Sequence, residues 1–185
     1  GLDLWAKLLL AVPGSRLFLK SMALAMPATR DRVFAYLGAR GIDRSRIDLE
    51  GETKGKSEHM QMYARVDVGL DPWPYNGTTT TVEAMFMGVP VVTMAGNSHV
   101  SRVGVSLLSN VGLPDFIASD EDDYLKKCAG IAADEPRRIE LRSKLRQIVT
   151  GSVLCDHAGF TRRLEAHYRE SWRDWCARKK ANPAL

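Results

Sequence analysis

The chain has 185 residues, 45% hydrophobic and 26% charged, with a net charge of +4. That size and balance describe one soluble globular domain able to bury a sizeable core. No run of about 18 apolar residues occurs, so no membrane span is indicated. The three cysteines, Cys128, Cys155 and Cys176, are far apart and in no C-x-x-C pair, which argues against a disulfide framework or zinc cluster and for reduced thiols in a cytoplasmic protein.

In chain order, Leu4, Leu8 and Val12 recur at helical spacing, and Asp3 with no basic leading stretch argues against a signal peptide. Residues 3–11 therefore read as an amphipathic helix, stopped by Pro13-Gly14. RLFLKS (16–21) reads as a strand, 29–40 as a helix closed by Gly41, and RIDLEG (46–51) as a second strand. Ser57 is a candidate cap for a short helix reaching Arg65. VDVGLD (66–71) is an apolar strand ending on an acid, Thr79 to Met87 a helix stopped by Gly88, and VPVVTM (89–94) a strand buried on both faces. Ser101 starts a helix, DFIA (115–118) is a fifth strand, Asp120 caps a helix over 121–133, and Pro136 opens another. The last helix covers about 158–177. Its basic residues, in RRLEAHYRESWRDWCARKK, alternate with acids, the pattern of a solvated face rather than a nucleic-acid surface. The tail 181–185 is expected to fray. Strands alternating with helices predict an α/β, Rossmann-like parallel sheet with helices on both faces, over residues 1–180, with ligands beyond the carboxyl ends of the strands.

Three segments follow strands: GETKGKSEH (51–59), DPWPYNGTTTTVEAM (71–85) and AGNSHVSRVG (95–104). In the middle one, Pro72, Pro74, Asn76 and Gly77 form a rigid turn before four threonines open a helix. The first N–H groups of a helix lack internal partners and carry the positive end of its dipole, which suits a diphosphate. Neither a Walker A loop nor G-x-G-x-x-G is present. Thr80-Thr81-Val82-Glu83 is equally a capping box, so an anion site and a plain helix start both fit. Glu83 is either that cap or an acceptor for ribose hydroxyls. Lys56 and His59, three apart, share a helix face; they suit a phosphate and a base, or two solvated side chains.

LDPWPYNGTTTTVEAMFMGVPVVTMAG (70–96) closely resembles the SPINDLY branch of the protein O-GlcNAc transferase family. LWAKLLLAVPGSRLFLK (4–20), SRVGVSLLSNVGL (101–113) and AHYRESW (166–172) match as well. The resemblance implies the C-terminal, donor-binding lobe of a two-lobed GT-B transferase preceded by tetratricopeptide repeats. It places Lys56 and His59 at the donor's phosphate and base, Gly77, Thr78, Thr79 and Thr80 around the diphosphate, and Glu83 at the ribose. Animal members carry histidine at Thr78, arginine at Met62 and aspartate at Glu83. Plant SPINDLY enzymes use GDP-fucose, so UDP-GlcNAc and GDP-fucose both stay open as donor.

The implied reaction moves a sugar, with inversion, to a Ser or Thr hydroxyl of a protein acceptor held by the other lobe and the repeats. Lys56 and the helix start would stabilise the leaving diphosphate in place of a metal. No cofactor, metal, nucleic acid or membrane is expected. Another GT-B transferase, or a non-enzymatic nucleotide-binding module, is the alternative.

Overall fold

A computed structural model describes residues 1–53 and 55–181 of the chain. Its helices are α1 (Leu2–Ala11), α2 (Pro27–Gly38), α3 (Lys56–Gln61), α4 (Thr79–Phe86), α5 (Val103–Asn110), α6 (Glu121–Ala133), α7 (Glu135–Thr150) and α8 (His157–Ala181). Its strands are β1 (Leu17–Lys20), β2 (Ile47–Glu50), β3 (Gly69–Asp71), β4 (Val91–Met94) and β5 (Ile117–Ala118). Every element expected from periodicity is present, with shorter strands. Pro114 starts a 3-10 turn through Phe116, so DFIA keeps only Ile117–Ala118 as strand. Ser57 is not a cap: α3 begins one residue earlier, with Gly55 at its N-cap, and passes into a 3-10 turn at Met62–Arg65. Asp120 does cap α6, accepting from the Asp123 N–H at 2.9 Å.

All pairings are parallel, but the strands form two sheets rather than one. Leu17 of β1 lies opposite Ile47 of β2; Gly69 of β3 lies opposite Val91 of β4, and Thr93 of β4 opposite Ile117 of β5. Among the described residues no ladder joins β1 to β3. Two hydrophobic cores follow from this split. One, around Met85, Val92, Leu108 and Leu145, lies between β3–β5 and the helices α4 to α7. The other, around Leu17, Leu37, Ile47 and Leu49, lies between β1–β2 and α1–α2. α1 straddles them, since Leu4 enters the first and Ala6 and Leu9 the second, and Leu70 of β3 packs against both.

β4 is buried along its whole length, as its unbroken VVTM predicts for a central strand. α4 is stopped by Gly88, whose φ of +82° is the left-handed conformation that glycine adopts without strain. The Gly88 N–H donates to the Met85 carbonyl and the Val89 N–H to that of Ala84, at 3.0 and 2.8 Å, which closes a Schellman motif and aims the chain into β4. Arg142 of α7 then donates to the carbonyls of Tyr63, Val66 and Met87, tying the approach to β3 to the end of α4.

α8 carries its charges to solvent as expected, but it also exposes Phe160, Leu164, Tyr168, Trp172 and Trp175, with the two tryptophan rings stacked at 5.1 Å. The frayed tail expected at 181–185 lies, apart from the backbone of Ala181, outside the described residues. No helix among the described residues is long and apolar enough to cross a membrane.

Candidate functional site

β3 ends on Asp71, a buried carboxylate. Its Oδ1 accepts from the Gly77 N–H at 2.6 Å and its Oδ2 from the Thr93 hydroxyl at 2.7 Å. One side chain thus folds the Pro72–Asn76 loop back over the strand end and fastens it to β4. Burial pushes the Asp71 carboxyl up, against the two hydrogen bonds, which lower it. Asn76, also buried, completes the clamp: its Nδ2 donates to the Met94 carbonyl at 3.4 Å, its Oδ1 accepts from the Gly104 N–H at 3.3 Å, and its own N–H donates to the Val100 carbonyl at 2.9 Å. Gly104 is required by close approach, because a Cβ there would sit 2.1 Å from Thr93 Oγ1 and 2.6 Å from Asp71 Oδ2.

This clamp sets α4 at the carboxyl end of β3, with Thr79 as its first residue. Thr78, Thr79 and Thr80 are exposed, and Thr78 as N-cap makes no side-chain cap bond. No side-chain cap therefore takes up the first N–H groups of α4. The Gly77 N–H is taken by Asp71, so Gly77 positions the turn that leads into the helix.

The capping box that Thr80 and Glu83 could form by spacing is absent, because the helix starts at Thr79 and Thr80 is already its second residue. Glu83 turns instead toward α3, where its Oε2 lies 2.9 Å from His59 Nε2 and takes a longer bond, 3.5 Å, from the Tyr63 hydroxyl. An ionised carboxylate only accepts, so His59 presents Nε2–H to it. His59 Nδ1 is then left buried with no partner. The Tyr63 hydroxyl also reaches the Thr80 carbonyl at 3.3 Å, and its ring meets the His59 ring edge-on at 5.5 Å. Burial, and then the Glu83 charge, push the Tyr63 hydroxyl up to about 12. Lys56 is exposed at the first turn of α3, one turn before His59. His59, Glu83 and the Thr80 carbonyl thus meet around Tyr63, and Lys56 lies one turn before His59 on α3. Among the described residues no three His, Cys, Asp or Glu side chains cluster as metal ligands do.

The sequence model of glycosyl transferase family 41 matches residues 1–164. The chain belongs to glycosyl transferase family 41. This family-41 chain is 43% identical over 175 residues to a Solanum lycopersicum protein named "probable UDP-N-acetylglucosamine–peptide N-acetylglucosaminyltransferase SPINDLY", covering 95% of the chain and 19% of that protein. It is 31% identical over 173 residues to the UDP-N-acetylglucosamine–peptide N-acetylglucosaminyltransferase of Caenorhabditis elegans, covering 93% of the chain and 15% of that protein. A solved structure of a mutant O-GlcNAc transferase from Thermobaculum terrenum matches with a TM-score of 0.88 at 37% identity, over 95% of this chain and 34% of that one. The family-41 chain therefore spans about a fifth or less of the length of these curated relatives.

Sequence reasoning missed Tyr63, Asp71 and Asn76 as parts of this site. Tyr63 stands four residues after His59, on the same helical face, and that spacing was the available signal. Asp71 was visible as an acid closing an apolar strand. Nothing local marks Asn76 as more than a turn residue.

Proposed function

We propose that this family-41 chain is the donor-binding part of an inverting transferase that moves GlcNAc from UDP-GlcNAc to Ser or Thr hydroxyls of proteins. The observation that carries the reading is the exposed, uncapped start of α4 beside the His59–Glu83 pair. The names of the relatives support the donor and the acceptor class. In the reaction the acceptor hydroxyl attacks the anomeric carbon from the face opposite the nucleotide. The bond from that carbon to the β-phosphate oxygen breaks, and UDP leaves with the electron pair. The acceptor proton goes to a base outside this chain.

Charge grows on the β-phosphate as the bond breaks, and fixed donors aimed there lower the barrier. The N–H groups and hydroxyls of Thr79 and Thr80 and the Lys56 ammonium fill that role, with Thr78 at the rim. Glu83 Oε1 accepts from the ribose hydroxyls while Oε2 keeps His59 in place. The His59 ring, held by Glu83, contacts the base. No metal is required in this scheme. The acceptor is held by the rest of the polypeptide, through tetratricopeptide repeats, and the free cysteines fit a cytoplasmic setting.

Calorimetric titration of the full-length protein with UDP and GDP tests the reading. UDP should bind at least tenfold more tightly, about 1.4 kcal/mol. Tighter GDP binding would move the assignment to fucosyl transfer from GDP-fucose. Binding of neither would leave a non-enzymatic module.

A further inference from the structure

We infer that Tyr63 is a positioning residue of the nucleotide site: it braces α3 against α4 and so holds the base, ribose and phosphate contacts in register. The inference rests on the function proposed above. Tyr63 touches three of the residues assigned there to the nucleotide. Its ring meets the His59 ring edge-on at 5.5 Å. Its hydroxyl lies 3.3 Å from the Thr80 carbonyl and 3.5 Å from Glu83 Oε2. A phenol has one proton to donate, so these two acceptors share it. The hydroxyl thereby links the backbone at the first turn of α4 to a side chain one turn further on.

Neither helix fixes the site alone. α3 has 6 residues and α4 has 8, and neither has a side-chain cap at its N-terminus. Helices this short hold their shape through packing rather than through their own hydrogen bonds. The backbone of Tyr63 is the anchored end of the brace. Its carbonyl accepts from Arg142 Nη1 at 3.2 Å, and the same nitrogen donates to the Met87 carbonyl, also at 3.2 Å, just past the end of α4. One residue therefore secures α4 at both ends, through its hydroxyl at Thr80 and through Arg142 at Met87. The hydroxyl, pushed up to about 12 chiefly by burial, keeps its proton at neutral pH and stays a donor. Because His59 and Tyr63 both bond Glu83 Oε2, they fix the carboxylate from two sides. Contacts fixed before the nucleotide arrives bind it without the cost of ordering them.

Tyr63→Phe keeps the ring against His59 and removes the hydroxyl. The full-length protein is titrated by calorimetry with whichever of UDP and GDP the parent binds more tightly. Affinity should fall about tenfold, the order of one lost hydrogen bond, while urea unfolding stays nearly unchanged. Glu83→Gln and the double variant complete a cycle that separates positioning from packing. If Tyr63 works by holding Glu83, the double variant falls well short of the roughly hundredfold loss of two independent effects. Unchanged affinity in Tyr63→Phe would overturn the inference. So would full additivity in the double variant, or a loss of affinity matched by a general loss of stability in urea. A parent that binds neither nucleotide would overturn the proposed function and this inference with it, a result distinct from tight binding that Tyr63→Phe leaves intact.

Discussion

Glu83 spends one oxygen on His59 and Tyr63, and the helix start its spacing would let it cap has no side-chain cap. Glu83→Gln keeps an acceptor for the His59 Nε2–H but removes the charge. UDP affinity should fall about tenfold with stability nearly unchanged, and titration beside urea unfolding separates the two. Unchanged affinity would return Glu83 to a structural role. Lys56 makes a charge-assisted contact in the proposed complex, so Lys56→Ala should cost UDP about 1.5–3 kcal/mol of binding and uridine little. Equal losses for both ligands would place Lys56 away from the phosphates. Asp71 gives a pH signature. Its folded carboxyl lies above the unfolded value of 3.8, so the folded chain holds this proton more tightly. The resulting stabilisation is full below pH 3.8 and is lost as pH rises through the raised folded value. Asp71→Asn cannot titrate. The parent-minus-variant difference in unfolding free energy should therefore shrink from about pH 3 to pH 7, and a flat difference would count against the buried, raised carboxyl.

The element that organises the site is the loop between β3 and α4. Its start was legible, because prolines, Asn76 and Gly77 forbid a continued strand, as was the far end of α4, which Gly88 stops. Its anchoring was not, because Asp71, Thr93 and Gly104 are distant in sequence and meet only when β3, β4 and α5 stack. The capping box failed for a related reason: short-range spacing allows Glu83 to reach back, but α3 packs close enough to claim it. Gly104→Ala tests the clamp. A Cβ 2.1 Å from Thr93 Oγ1 must push α5 or Thr93 aside, which should cost about 1–3 kcal/mol in urea unfolding and weaken UDP binding as the loop loosens. A variant as stable as the parent would show that α5 moves freely against β4.

At the scale of the whole molecule, strand and helix order could be read from hydrophobic period alone, but the division into two sheets could not. Period reports which residues face a core, and it is silent on which strand lies beside which. Leu70 touches both cores, and α1 bridges them. Leu70→Ala should cost about 2 kcal/mol or more, and its hydrogen exchange should show β1–β2 opening at a lower free energy than β3–β5. Uniform loss across both sheets would mean that the cores unfold as one unit. The split also bears on inheritance. Every side chain assigned to the nucleotide, together with the clamp beneath it, falls between Lys56 and Gly104, after the last residue of β2. A recombination breakpoint between Glu50 and Gly55 would exchange the α1–β2 unit for another and pass the residues of the proposed donor pocket on together.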